Sequence, residues 1–252
     1  MVTPLHVGRW GSGPPVLLVH GSVMNGEGTW AEQRPLAERW ELLVLDRRGY
    51  FPNPPIDRED FEVDAGDVAE LLGDGMHLVG HSYGGVISLL AAARRPEAVR
   101  SLTVIEPPAF GLVADDPDHA ERVSRLRAYF DEPIPDPEAF LRGFIELSGS
   151  SAQLPSPLPP PLEQSARLLM VERFPGEAVI PFQALRAAPF PTLVVSGGHD
   201  AAFTAVCDVI ERELGAERAV IAGKAHSVQR TGAPFNELLD AFLRRAERSG
   251  RT

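Results

Sequence analysis

Six short apolar runs alternate with amphipathic stretches along this chain, and this alternation limits its possible folds more than any other feature. The runs cover residues 16–20, 42–46, 76–81, 102–106, 192–196 and, more weakly, 218–222. Such runs are typical of strands buried on both faces of a parallel sheet. The stretches between them predict helices over 29–40, 59–72, 83–95, 201–214 and 234–248. Strand and helix in repetition predict an α/β fold, with a mostly parallel central sheet and helices on both faces.

The rhythm breaks between Pro107 and Pro189, where proline is dense and no good strand pattern occurs. Apolar residues in this segment recur at near-helical spacing, which predicts several short helices. We therefore expect a helical cap over 107–188, inserted into an α/β core formed by 1–106 and 189–252. The proline run 155–161 is also compatible with a surface crossing between two helices.

Composition narrows the possible partners and compartments. The 252 residues are 44% apolar, enough for one domain with a sizeable core, and the net charge of -11 disfavours nucleic acid and anionic membrane surfaces as partners. The sequence lacks an N-terminal signal pattern and any run of about eighteen apolar residues, so we expect a cytoplasmic protein, monomeric or homodimeric. The single cysteine, Cys207, falls in a helical apolar pattern and predicts a buried filler without a chemical role.

The pentapeptide Gly80-His81-Ser82-Tyr83-Gly84 directly follows one apolar run and directly precedes an alanine-rich helix. A serine hydroxyl is a weak nucleophile, so a catalytic serine must protrude where a base can reach it. A sharp strand-to-helix turn provides this, but it leaves room only for glycine two positions before and after the serine. An ordinary N-cap serine is the alternative, yet the strand and helix on either side favour Ser82 as a nucleophile.

Four further segments occur in the order of a known superfamily: VLLVHGS (16–22), LDRRG (45–49), VVSGGHD (194–200) and the stretch from His226 through APFNELLDAFL. With the pentapeptide, the chain resembles the α/β-hydrolase superfamily over nearly its whole length, specifically its cap-bearing, esterase-like members. The resemblance implies a serine hydrolase without a cofactor. The usual glycine-serine continuation after LDRRG is replaced here by Tyr50, Phe51 and Pro52.

Among seven histidines, His226 is the predicted general base, because its loop follows the last predicted strand and ends at the sheet edge that carries Ser82. In similar proteins this loop often reads glycine, any residue, glycine, histidine, whereas here alanine stands at 225. His20 is expected to hydrogen-bond loop backbone and fix the oxyanion loop. No pair of histidines has metal-ligand spacing with acidic company, so we predict no metal.

Asp200 is the predicted carboxylate behind His226, since it follows an apolar strand through a flexible turn and similar proteins carry their acid there. It could instead cap the helix that begins at Ala201. Glu106 is the alternative acid, because it ends the run 102–106 at a position that some members of the superfamily use. A structural role for buried Glu106, paired with an arginine, also remains open.

The resemblance also implies an oxyanion hole formed by two backbone amides. Tyr83 offers one amide because it follows the nucleophile, and Ser22 offers the other because it follows the His20-Gly21 pair. Apolar residues near these loops and in the cap segment could line an acyl pocket or simply pack in the core: Met24, Phe110, Phe144 and Met170.

A serine nucleophile disfavours the alkyl-enzyme chemistry of dehalogenases and epoxide hydrolases, which needs a carboxylate. We therefore expect a carboxylic-ester hydrolase that acts on a small or medium apolar substrate through an acyl-enzyme. Two alternatives stay open at this point: a hydrolase with the same triad acting on carbon-carbon, lactone or thioester bonds, and a non-enzymatic ligand receptor on this fold.

Overall fold

The computed structural model describes residues 5–148 and 153–249. Seven strands form one sheet in the order β1-β3-β2-β4-β5-β6-β7, parallel throughout except for the antiparallel edge strand β1. The strands are β1 (Val7–Trp10), β2 (Pro15–Val19), β3 (Glu41–Leu45), β4 (Met76–His81), β5 (Val99–Ile105), β6 (Thr192–Ser196) and β7 (Glu217–Val220). The predicted α/β class and its mostly parallel sheet are confirmed.

Helices connect the strands and cover both faces of the sheet. They are α1 (Gly26–Trp30), α2 (Phe61–Leu71), α3 (Tyr83–Arg94), α4 (Ala120–Asp131), α5 (Pro137–Leu147), α6 (Pro160–Leu169), α7 (Phe182–Ala187), α8 (Ala201–Leu214) and α9 (Ala233–Ser249). One apolar core joins the sheet to α2, α3 and α8, and a second joins its other face to α1 and α9. No helix in the described part of the chain combines the length and apolar character that crossing a bilayer requires.

Two elements differ from the sequence-based predictions. Strand β1 was not predicted, because its four residues, VGRW, include a glycine and an arginine and form no apolar run. The helix expected over 29–40 is instead the short α1 followed by 3₁₀ turns over Ala31–Glu38. Pro35 lies inside these turns, and proline cannot donate the backbone hydrogen bond that a continuous α-helix needs.

Helices α4 to α7 all lie in the segment between β5 and β6, which agrees with the short helices expected there. Part of this segment has its own apolar cluster, in which Phe140, Leu141 and Ile145 of α5 pack with Ala166 and Leu169 of α6. Because α5 and α6 bury their apolar faces mainly against each other, they can sit over the sheet as a layer of their own. The domain boundaries at 107 and 188 stay a prediction.

Candidate active site

Ser82 occupies the sharp turn between β4 and α3. Its φ of 53° and ψ of -127° lie in a region that residues other than glycine rarely adopt. A Cβ atom added at Gly80 would lie 2.3 Å from the carbonyl oxygen of Gly84, and one added at Gly84 would lie 2.3 Å from that of Val19. Only glycine therefore fits on either side of Ser82, as the sequence pattern indicated.

His226 follows β7 and reaches the hydroxyl of Ser82. Its Nε2 lies 2.8 Å from Ser82 Oγ. The backbone carbonyl of His226 accepts a hydrogen bond of 2.9 Å from Nε2 of His81. Burial, together with the proximity of the His226 imidazole, lowers the pKa of His81 to about 3, so His81 is neutral at ordinary pH and carries its proton on Nε2. His81 thus fixes the loop that carries His226, a contact that the sequence did not reveal.

The other ring nitrogen of His226 contacts Glu106. Nδ1 lies 2.9 Å from Oε2 of Glu106, which is fully buried at the end of β5. The amide of Gly197 donates to Oε1 at 2.7 Å, and Nδ1 of His199 lies 3.3 Å from Oε2. Burial by itself would raise the pKa of Glu106, but the nearby His199 and the hydrogen bonds from His226 and Gly197 outweigh it and lower the pKa to about 2. Glu106 is therefore ionised at neutral pH.

Asp200 does not reach His226, which corrects the first choice of acid made from the sequence. Its Oδ1 accepts hydrogen bonds from the amides of Ala202 and Phe203 at 2.8 and 3.2 Å, and so caps α8. Its Oδ2 lies 3.1 Å from Nε of Arg122 on α4. Both carboxylate oxygens are thus committed to the helix N-terminus and to an arginine, and the alternative acid, Glu106, occupies the place behind the histidine.

The two candidate oxyanion amides belong to Tyr83, at the start of α3, and to Ser22, in the loop after β2. Neither amide is hydrogen bonded to another described residue. The carbonyl oxygen of Gly21, in the same peptide unit as the Ser22 amide, accepts hydrogen bonds from Nδ1 of His20 at 2.7 Å and Nη2 of Arg47 at 3.0 Å. Because C=O and N–H point in opposite directions across a trans peptide, these bonds turn the Ser22 amide away from Arg47.

Arg47 is the centre of a buried ionic cluster behind the oxyanion loop. Its Nη1 donates to Oε1 of Glu59 and, at 2.8 Å, to Oδ2 of Asp64. A third buried carboxyl group, that of Glu172, accepts a hydrogen bond of 2.5 Å from the Ser22 hydroxyl. No sequence motif indicated that Arg47 or Glu172 would be buried beside the oxyanion loop.

Two cavities meet at Ser82, and both also border Ser22 and His226. The large cavity has a volume of about 460 Å³ and extends between the oxyanion loop and α5 and α6. The small pocket has a volume of only about 30 Å³ and is enclosed by aromatic and aliphatic side chains. Its apolar lining includes Phe110, Leu126, Phe130, Phe144, Phe174 and Phe203.

The predicted pocket residues divide between these spaces. Met24 borders the large cavity, Phe110 borders the small pocket, and Phe144 borders both. Met170 does not border either; it lines a separate surface cavity of about 550 Å³ beside α6. Its placement in the substrate pocket is therefore corrected: Met170 directly follows α6 and lines a cavity that does not include Ser82.

Ligand atoms of Glu106, His199 and His226 lie within 4.8 Å of one another, the one grouping among the described residues that could hold a metal ion. The hydrogen bonds of His226 to Ser82 and Glu106 account for the position of its ring without an ion. The absence of a metal stays a prediction. Cys207 is buried in α8, and burial raises the pKa of its thiol to about 12.

Comparison with known proteins places the chain among esterases and other hydrolases of similar fold. The chain is 29% identical over 204 residues to a pimeloyl-[acyl-carrier protein] methyl ester esterase of Methylococcus capsulatus, covering 64% of this chain and 80% of the relative. Among solved structures, a thermophilic esterase from Thermogutta terrifontis matches with a TM-score of 0.67 and 21% identity, over 96% of this chain and 93% of the other. MenH from S. aureus matches with a TM-score of 0.74 and 15% identity, over 96% and 99% of the two chains.

The two structural matches share the fold of the chain at low identity, which supports the architecture rather than any particular substrate. The alpha/beta hydrolase fold family matches residues 14–233, nearly the whole described chain. The match spans strands β2 to β7, the turn that carries Ser82 and the loop that carries His226. The chain therefore belongs to the alpha/beta hydrolase fold family.

Proposed function

We propose that this protein hydrolyses a carboxylic ester through an acyl-enzyme, with Ser82 as nucleophile, His226 as general base and Glu106 as the acid of the triad. One observation carries the proposal. Two hydrogen bonds, of 2.9 and 2.8 Å, connect the Glu106 carboxylate through His226 to the Ser82 hydroxyl, which borders a cavity large enough for a small-molecule substrate. Neither ligand binding nor packing alone requires that alignment.

In the first half-reaction, Ser82 Oγ attacks the ester carbonyl while Nε2 of His226 takes the hydroxyl proton. The imidazolium then donates this proton to the departing alkoxide, so the alcohol leaves neutral and the acyl group stays on Oγ. In the second half-reaction, a water gives its proton to Nε2 and attacks the acyl carbon. The serine oxygen recovers the proton and the carboxylic acid leaves. Glu106 holds the Nδ1–H tautomer and stabilises the imidazolium in both halves.

The amides of Ser22 and Tyr83 serve as the oxyanion donors in this proposal. Each free N–H that points at the developing negative charge stabilises the transition state by about 3 to 4 kcal/mol. The cationic Arg47 on the carbonyl side of the Gly21-Ser22 peptide polarises that unit further, which strengthens its N–H as a donor. The N-terminus of α3 adds its partial positive charge beside Tyr83.

The unequal cavities at Ser82 favour an ester with one very small and one larger substituent. A volume of about 30 Å³ admits a group no larger than a methyl or ethyl, whereas about 460 Å³ accepts a chain or ring of drug-like size. The methyl ester esterase among the relatives acts, by its name, on an ester of this unequal kind. A lactone joins both sides of its ester in one ring and cannot place them in two separate spaces, so the geometry favours an open-chain ester.

A labelling experiment tests whether the protein is a serine hydrolase at all. A fluorescent alkyl fluorophosphonate should modify the protein with a stoichiometry of one, and Ser82→Ala should abolish the modification. Ser88→Ala is the matched control, because Ser88 is a buried serine of α3 whose hydroxyl donates to the Gly84 carbonyl. Equal labelling of wild type and Ser82→Ala would refute Ser82 as the nucleophile, and no labelling of wild type would favour the ligand-receptor interpretation.

Three isomeric esters test the proposed substrate shape: methyl octanoate, heptyl acetate and butyl pentanoate. They contain the same atoms and differ only in where the ester group stands. We expect kcat/KM for at least one of the first two to exceed that for butyl pentanoate by about tenfold or more, since one to two kcal/mol is a typical effect of a few misfitting methylene groups. Phe130→Ala, which enlarges the small pocket, should narrow this difference. Equal rates for all three esters, or faster cleavage of a lactone, a thioester or a diketone, would contradict the proposal.

A further inference from the structure

We propose that Glu172 is a positioning residue that holds the oxyanion loop in its working geometry through the hydroxyl of Ser22. The inference rests on the proposed function, in which the Ser22 amide is an oxyanion donor. The segment between β5 and β6, which contains Glu172, would then not only line the pocket but also position an oxyanion donor. Glu172 lies three residues after α6, and 150 residues separate it from Ser22.

The first observation is the contact itself. The Ser22 hydroxyl donates to Oε2 of Glu172 at 2.5 Å, and Glu172 also borders the small pocket beside Ser82. A backbone bridge fixes the position of Glu172: the amide of Glu59 donates to the carbonyl of Val171 at 3.2 Å, and the amide of Arg173 donates to that of Glu59 at 2.9 Å. The carboxyl group is therefore anchored by its main chain and not only by its side chain.

The second observation is the charge balance behind the loop. Arg47 is the cation at the centre of the cluster, and three buried carboxyl groups surround it, those of Glu59, Asp64 and Glu172. One guanidinium cannot compensate three buried carboxylates, so the cluster must retain protons. Burial and the adjacent charge of Glu59 raise the pKa of Glu172 well above its usual value. Burial also raises the pKa of Glu59, to about 7, against the opposing effect of Arg47.

These facts assign a protonation state to Glu172. Oε2 of Glu59 has no hydrogen-bond partner among the described residues, although the two carboxyl side chains interact. A neutral Glu172 satisfies this oxygen by donating its own O–H to Glu59, while its Oε2 accepts from Ser22. Two ionised carboxylates at this position would instead repel each other, and Oε1 of Glu59 already accepts from Arg47, which favours the charge on Glu59 and the proton on Glu172. The Ser22 hydrogen bond by itself favours the ionised form of Glu172, but burial and the charge of Glu59 outweigh it. The proton therefore keeps the carboxyl group in place between Glu59 and Ser22, because it removes the repulsion that would displace Glu172 from Glu59.

The third observation is strain in the loop next to this contact. Val23 has a φ of 82°, which is an outlier for a β-branched residue, and its side chain packs against the α5–α6 cluster. Such a conformation persists only where surrounding contacts hold it. The Ser22 side chain on Glu172 and the Val23 side chain on α5 and α6 are two such contacts, and both come from the segment between β5 and β6.

The test uses a double-mutant cycle of Ser22→Ala and Glu172→Ala, with kcat and KM measured on p-nitrophenyl acetate. Both variants keep the Ser22 amide but lose the hydrogen bond between the Ser22 hydroxyl and Glu172. We expect each single variant to lower kcat by about 10- to 100-fold with a smaller change in KM, because a donor displaced by about 1 Å loses much of its effect. The double variant should be no worse than the poorer single variant, since both remove the same contact. Additive losses, or kcat unchanged in either single variant, would overturn the proposal.

A conservative variant separates positioning from a merely structural role. Glu172→Gln retains an acceptor for Ser22 and a donor for Glu59 but cannot ionise, so its kcat near neutral pH should stay within about threefold of wild type. In wild type, kcat should fall on the alkaline side as Glu172 loses its proton. The charged and titratable groups around Glu172, which influence this titration, are Arg47, Glu59, Asp64, Tyr50 and Tyr83. In Glu172→Gln this fall should move to higher pH or vanish. Superimposable profiles between pH 6 and 10 would refute the assignment.

Glu177→Ala is the matched control, because Glu177 lies five residues further along the same segment but forms its ion pairs with Arg127 and Arg173 near the surface. It should leave kcat unchanged. Fluorophosphonate labelling of wild type distinguishes the two levels of the proposal. If wild type does not react at Ser82, the proposed function fails; if wild type reacts and the cycle is additive, only the role of Glu172 fails.

Discussion

Replacing Glu106 by glutamine isolates the charge behind His226 from the hydrogen bond that orients it. Glutamine keeps an oxygen that can accept from Nδ1, so the ring can stay in place while the negative charge disappears. The imidazolium that forms during catalysis lies 2.9 Å from the carboxylate oxygen. At an effective dielectric constant of about 20, two unit charges at this distance attract each other by about 6 kcal/mol. That energy corresponds to roughly a 10⁴-fold loss of kcat in Glu106→Gln.

Asp200→Asn is the matched control for this change. Asparagine caps a helix about as well as aspartate, so the hydrogen bonds to the start of α8 can persist. The lost ion pair with Arg122 is partly exposed and contributes at most about 1 kcal/mol to stability. We therefore expect kcat of Asp200→Asn to stay within about threefold of wild type.

Steady-state hydrolysis of p-nitrophenyl acetate measures both variants, and thermal unfolding checks that each is folded. Glu106→Asp adds a graded test, because it restores the charge one methylene group too far from His226 and should give an intermediate rate. The acid assignment is refuted if folded Glu106→Gln keeps more than about a tenth of the activity while Asp200→Asn loses about a thousandfold. That outcome would return the role to Asp200 and require the loop after β6 to move.

Three further outcomes follow from the backbone and the charges of the site. Gly80→Ala should unfold the protein or lower its Tm severely, since the new Cβ would lie 2.3 Å from the Gly84 carbonyl oxygen. The control, Gly66→Ala in α2, should leave Tm unchanged or raise it, because the nearest neighbouring atom there is a flexible side-chain nitrogen at 3.5 Å. Glu106, with a pKa lowered from 4.5 to about 2, should stabilise the fold by about 3 kcal/mol above pH 4.5 and lose this contribution as the pH falls toward 2. The free energy of unfolding of Glu106→Gln, measured in urea, should therefore lack this dependence on acid pH. Ala225→Gly should raise Tm slightly and preserve kcat, because a φ of 47° strains alanine but not glycine; a lower Tm would show that the loop is not strained there.

The sequence predicted the sheet and most of its helices because their apolar periodicity is local. Helix α8 has the predicted bounds, since Asp200 caps one end and Gly215 adopts a left-handed conformation at the other. The same local signal misled the choice of acid: an aspartate before a helix is equally suited to capping and to catalysis. Strands β5 and β6 are hydrogen-bonded neighbours that pair Ile105 with Val195, so both candidate acids leave the sheet at one edge. Which of them reaches His226 depends on loop geometry that no spacing rule encodes.

The buried ionic cluster around Arg47 could not be predicted from the sequence, for a related reason. Arg47 and Glu59 lie in segments with ordinary charged composition, and Glu172 lies more than a hundred residues further along the chain. Charged residues are almost always exposed, so nothing in their spacing indicates that these three meet in the interior. Their association depends on how the segment between β5 and β6 docks, which is a tertiary property.

Backbone strain gives an independent reason to place the catalytic acid at Glu106. Four residues other than glycine have positive φ among the described residues: Val23, Ser82, Glu106 and Ala225. Each such conformation costs about 1 to 3 kcal/mol, and glycine would relieve the cost. At Ser82 and Glu106, however, glycine would remove the side chain that the proposed reaction needs. These four residues flank or form the nucleophile, the acid, the base and the oxyanion loop. Asp200, with an ordinary extended φ of -138°, lies outside this set, as expected of a residue that caps a helix. If strain marks the residues that the reaction requires, the carboxylate it marks is that of Glu106.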